Sequence, residues 1–69
     1  MTELEIMVNG EPRRLVSPAT ASDLLHHLGV DPRTVVVEVN RKIVRRPQLD
    51  ETPLSDGDAV ELVHFVGGG

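Results

Sequence analysis

One segment of this chain reads as a helix, and nearly everything else apolar in it is patterned as strand. Leu24, Leu25 and Leu28 form a single apolar stripe at helical spacing. Thr20 can accept a backbone N–H ahead of that stripe, and Asp23, three residues on, can reach back as in a capping box. Asp23 also sits well against the positive end of the helix dipole. Gly29 fits the left-handed position that closes a helix, with Val30 as the accompanying apolar contact. The spacing predicts a helix over Ala21–Leu28. So short a helix is unstable alone and must be held by packing on a sheet. With no other helix to bury a sheet face, the chain is predicted to be α+β, with one main helix packed on one face of a mixed four- to five-stranded sheet.

The strands follow from alternation and turn chemistry. Leu4, Ile6 and Val8 alternate with Glu3, Glu5 and Met7, the period of a strand with one buried face. Asn9-Gly10 is the dipeptide that most readily adopts positive φ at both centres of a type I′ turn, so a second strand, Glu11 to Val16, should pair back. Pro12 lacks an N–H and places that strand at an edge, where Arg13 and Arg14 discourage pairing with another chain. Asp31-Pro32-Arg33-Thr34 is a turn. Val35–Val39 is nearly all apolar and is expected to be the central strand. Asn40-Arg41-Lys42 turns the chain so that Ile43-Val44 can pair back briefly. Arg45–Thr52 reads as a loop or helical turn anchored by Leu49. Ser55-Asp56-Gly57-Asp58 is a tight turn before a last strand over Ala59–Val66. The crossover carrying the helix suits a parallel strand pair. The expected core is Leu4, Ile6, Val8, Leu15, Leu24, Leu25, Leu28, Val37, Val39, Ile43, Leu49, Leu54, Val60 and Leu62.

Composition narrows the function. A chain of 69 residues is one small domain. Seven basic residues against 11 acidic give a net charge of −4, and Phe65 is the single aromatic. Nucleic-acid binding, which needs basic patches and stacking platforms, is disfavoured. The chain contains no cysteine, hence no disulfide and no thiolate metal site. There is no apolar run of membrane-spanning length, and the acidic start lacks the layout of a secretion signal, so a cytoplasmic protein is expected. His26 and His27 point about 100° apart on the helix and read as surface residues. Arg41, Lys42, Arg45 and Arg46 fall together, either as a solvated turn or as an anion site.

The chain ends Val66-Gly67-Gly68-Gly69. Glycine has no Cβ, so such a tail can be approached closely from all sides and can enter a channel where a side chain would clash. Its alternatives are a reactive carboxylate on a flexible arm or a frayed terminus. The organisation predicted is a domain over residues 1–66 with a flexible tail over residues 67–69. On the last strand, alternation sets Val63 and Phe65 opposite Val60 and Leu62. If the latter pair is core, Val63 and Phe65, with Val66, form an apolar docking patch beside the tail; the alternative is that a neighbouring loop covers them.

The element order is that of the ubiquitin-like β-grasp fold, and the residues carry the likeness further. Val8-Asn9-Gly10-Glu11, Asp23-Leu24-Leu25, Val37-Glu38-Val39-Asn40, Ile43-Val44 with Arg46, Thr52-Pro53-Leu54, Asp56-Gly57-Asp58, Val60-Glu61 through His64, and Val66-Gly67-Gly68-Gly69 resemble the sulfur-carrier family of thiazole biosynthesis, ThiS. Arg45 and Leu49 depart from the family, which often has a proline and an aromatic there, and three terminal glycines replace the more usual two.

The resemblance implies a carrier with no cofactor, metal or catalytic residue of its own. An E1-like adenylating enzyme of the ThiF type would use ATP to adenylate the carboxylate of Gly69. A persulfide sulfur donor would convert the adenylate to a thiocarboxylate, and thiazole synthase of the ThiG type would take the sulfur. On that reading His64 serves packing or partner contact rather than acting as a base. The alternatives are a sulfur carrier for molybdopterin or cysteine synthesis, and a ubiquitin-like module that only docks.

Overall fold

The computed structural model describes residues 2–65. Glu3–Val8 (β1) and Glu11–Val16 (β2) form the expected hairpin, with Asn9 and Gly10 at φ 51° and 83°. That pair of positive φ values matches the twist of the two strands, and only glycine takes the second without steric cost. The helix (α1, Ala21–Leu28) starts at the predicted capping box. The Thr20 hydroxyl accepts the Asp23 N–H at 3.2 Å, and the Asp23 carboxylate accepts the Thr20 N–H at 2.8 Å. It ends in a Schellman motif: Gly29 N–H donates to His26 C=O and Val30 N–H to Leu25 C=O. A 3₁₀ turn, Pro32–Thr34, leads into β3 (Val35–Val39) and β4 (Lys42–Val44). A second 3₁₀ segment, Arg46–Glu51, buries Leu49 as its anchor, and β5 (Ala59–His64) follows.

The five strands lie in the order β2-β1-β5-β3-β4. The central strand is therefore β5, and β3 is the interior strand beside it. The parallel pair is β1 with β5; β2 is an edge strand pairing only β1, as Pro12 requires. Hence the first and last strands of the chain are joined across the middle, with α1 packed over one face. The helix start is stitched to the segment before β5 by Ala21 N–H to Thr52 C=O and Leu54 N–H to Ala19 C=O.

Most of the expected core is buried, and Ile6, Leu24, Leu25 and Val60 are its most enclosed members. Ile43 is a correction: it is 64% exposed. Pairing of Glu38 with Ile43 puts Ile43 on the open face, and Val44, one residue on, packs against the core instead. Leu28 and Val39 are half-buried against the core rather than inside it, while Ala19, Ala21 and Val35 are buried additions. The last strand ends at His64, earlier than expected; Val66 and the proposed boundary between domain and tail lie outside the described residues.

Candidate functional site

The site is organised by what holds β5. On one side β1 can pair with it only at Met7 and Val8, because the chain reverses at Asn9-Gly10. The Asn9 side chain continues the ladder where the backbone leaves. Its Oδ1 accepts the Leu62 N–H at 2.7 Å and its Nδ2 donates to the Leu62 C=O at 3.2 Å. Asn40 does the same at the other end from the β3–β4 turn. Its N–H donates to Ala59 C=O at 2.7 Å and its Oδ1 accepts the Ala59 N–H at 3.0 Å. Both asparagines have φ 51°. The Asp-Gly-Asp turn completes the frame: Asp56 accepts the Glu5 N–H, Gly57 N–H donates to Glu5 C=O, and Asp58 accepts the Ser55 N–H. Those carboxylates and amides hold backbone in place.

Past His64, Phe65 N–H donates to Thr34 C=O at 3.0 Å. The chain is thus pinned beside β3 up to the residue before Val66. Val66 and the tail glycines Gly67, Gly68 and Gly69 lie outside the described residues.

Val63 lies on the sheet face away from α1 and is 55% exposed, and Phe65, just past the end of β5, is 63% exposed. Val36 is the cross-strand neighbour of Val63 and Ile43 of Glu38, so these two join the same face. Glu38 and Glu61 stand directly opposite each other there, a like-charge pair that disfavours the isolated sheet. Sequence alternation located Val63 and Phe65. Val36, Ile43, Glu38 and Glu61 needed the pairing register, which alternation within one strand does not give.

Charge is unevenly satisfied. Arg13 lies near Glu11, Arg14 near Glu3 and Glu5, and Arg33 near Asp31. The Arg33 guanidinium bonds both oxygens of Asp31, and Arg33 N–H also donates to it, holding that carboxyl down at about 2. Arg41, Lys42, Arg45 and Arg46 are exposed and form no ion pair among the described residues. His26 and His27 are exposed on the last turn of α1, and His64 is exposed at the end of β5. Among the described residues no group of three or more His, Cys, Asp or Glu side chains could hold a metal ion, and no helix is long and apolar enough to cross a membrane.

The family model that matches this chain is described as the ThiS family and covers residues 6–69. The chain is 42% identical over 50 residues to the sulfur carrier protein ThiS of Bacillus subtilis, covering 72% of this chain and 76% of that one. It is 41% identical over 66 residues to a thiazole synthase of Paramagnetospirillum magneticum; that alignment takes in 96% of this chain but only 20% of the synthase, so the chain spans about a fifth of that relative's length. Its fold is similar to the crystal structure of the thiamine biosynthesis protein ThiS from Geobacter metallireducens, with a TM-score of 0.81, 36% identity, and coverage of 96% of this chain and 100% of that one.

Proposed function

The chain belongs to the ThiS family, and on that premise we propose that it is a sulfur carrier of thiamin biosynthesis, acting as a protein cosubstrate. The observation that carries the reading is the family match extending to Gly69, on a chain whose central strand is held by asparagine side chains at Ala59 and Leu62. A carrier needs a fixed body that a partner can dock and an unobstructed arm that reaches the partner's site.

The chemistry is group transfer on the Gly69 carboxylate. That carboxylate attacks the α-phosphorus of ATP on an E1-like adenylating enzyme of the ThiF type, releasing pyrophosphate and leaving an acyl-adenylate. The terminal sulfur of a donor persulfide attacks the acyl carbon and expels AMP. A thiol then cleaves the resulting acyl disulfide, taking the donor sulfur into a disulfide and freeing the thiocarboxylate. Thiazole synthase of the ThiG type consumes that sulfur. Gly67 and Gly68 supply the narrow stem, and Val63, Phe65 and Val66 the docking patch. The domain contributes no base, nucleophile or cofactor to these steps.

Similarity to a thiazole synthase, in which the matching segment is a fifth of the length, supports thiazole synthase as the sulfur acceptor over molybdopterin or cysteine synthesis. The test is intact mass after incubation with ATP, the adenylating enzyme and a persulfide donor, beside a variant lacking Gly69. Replacement of one oxygen by sulfur in the C-terminal peptide is expected. An unchanged mass, with the enzyme active on another carrier, would overturn the reading and leave a docking module.

A further inference from the structure

A cleft of about 470 Å³ opens at the β4 edge of the sheet, beside the point where Phe65 leaves it. It exists because β4 is short. The β3–β4 ladder stops at Val37 with Val44, and the chain then turns away through Arg45 and Arg46, so Val35 and Val36 pair with β5 on one side and have no strand on the β4 side. Val36, Ile43 and Phe65 are among its apolar lining residues, and Arg33, Arg45 and Arg46 also line it. Arg33 is committed to Asp31, and Arg46 adds a smaller charge interaction with that carboxylate, but neither Arg45 nor Arg46 forms an ion pair among the described residues. The cleft thus joins apolar side chains to arginines that form no ion pair of their own, in a chain of net charge −4.

We propose that this cleft seats a segment of a partner protein that presents a carboxylate next to an apolar side chain. Guanidinium is the cationic group best suited to this: it is planar, weakly hydrated and binds a carboxylate through two parallel N–H donors. A bare inorganic anion would satisfy the arginines but leave Val36, Ile43 and Phe65 in water. An apolar segment without charge would bury those three and leave the arginines unpaired. Only a ligand with both features matches the lining. The proposal deepens the carrier reading, on which it rests for the existence of a partner, by stating what the partner's docking element carries.

Two measurements test it. The first uses the isotopically labelled full chain and a capped Gly-Asp-Phe-Asp-Gly peptide, with inorganic phosphate as a parallel titrant, followed by backbone amide shifts. Saturable shifts confined to Val35, Val36 and Ile43–Arg46 are expected with the peptide, with loss of binding in the Arg45→Gln/Arg46→Gln double variant. Absence of shifts at millimolar peptide, or equal binding of phosphate alone, would overturn the proposal. The second measures affinity for the adenylating enzyme and for thiazole synthase. The double variant should bind at least one of them about tenfold more weakly, with a shallower salt dependence. Arg13→Gln, on β2 and remote from the cleft lining, should match the unaltered chain. Equal affinity of the double variant for both enzymes would also overturn the proposal. Peptide binding by a chain that gains no sulfur would instead sink the carrier reading alone.

Discussion

Replacing Asn9 separates two contributions that one side chain makes to the frame of β5. Asn9→Ala removes both hydrogen bonds to Leu62, in a partly buried position, and also places a residue with Cβ but no polar side chain at φ 51°. Two lost hydrogen bonds are worth about 2 kcal/mol, and the left-handed conformation costs alanine about 1 kcal/mol more. The expected loss is about 3 kcal/mol. Asn9→Gly loses the same clasp but tolerates the conformation, so its cost should be nearer 2 kcal/mol. A domain of this size has roughly 3–10 kcal/mol of total stability, so either change is a large fraction of it. Urea unfolding followed by far-ultraviolet circular dichroism suits a chain whose one aromatic is a phenylalanine. The midpoint should fall with little change in the denaturant slope. Loss of less than about 0.5 kcal/mol in both variants would refute the clasp, and equal losses would refute the conformational share.

Three further outcomes follow from single positions. Arg41 sits at φ 71° in the β3–β4 turn, so Arg41→Gly should stabilise the fold by about 0.5–1 kcal/mol and raise the unfolding midpoint by a few degrees; a lower midpoint would show that the arginine side chain makes a compensating contact. Asp31 is held down to about 2 by Arg33, from the ordinary 3.8. Its ionised form favours the folded state, so its contribution is complete above about pH 4 and is lost as pH falls through about 2; Arg33→Ala should return the carboxyl toward its ordinary value in an NMR titration, and an unmoved titration would remove Arg33 as the cause. Phe65→Asp, on an exposed residue, should change stability by less than about 0.5 kcal/mol while weakening sulfur loading by the adenylating enzyme; unfolding of that variant would make Phe65 a core residue.

Four features set by adjacent residues stand where the sequence places them. The Asn9-Gly10 reversal, the Thr20–Asp23 capping box, the Gly29 closure and the burial of Leu49 each depend on a few adjacent residues and on backbone preferences that hold in any context. Where pairing between distant segments decides the answer, local pattern ran out. Val35–Val39 has the more continuous apolar run, yet β5 takes the central place because β1 pairs with it in parallel. Ile43 and Val44 are both apolar and β-branched, and only the register with β3 decides which one faces the core. The open face of the sheet was half legible for the same reason: Val63 lies on β5 with Phe65 just past its end, while Val36 and Ile43 join from two other strands.

The sequence by itself determined that one α-helix covers one face of a sheet and where the chain reverses, because periodicity, capping and turn chemistry act over a few residues. Tertiary structure decided how β5 and Phe65 are held. Asn9 lies 53 residues from the Leu62 backbone it clasps, and Asp56 lies 51 residues from the Glu5 N–H it accepts. No local preference specifies such pairs. They form only when the sheet brings the first strand against the last, and the same event sets Phe65 beside Thr34 and opens the arginine-lined cleft next to it.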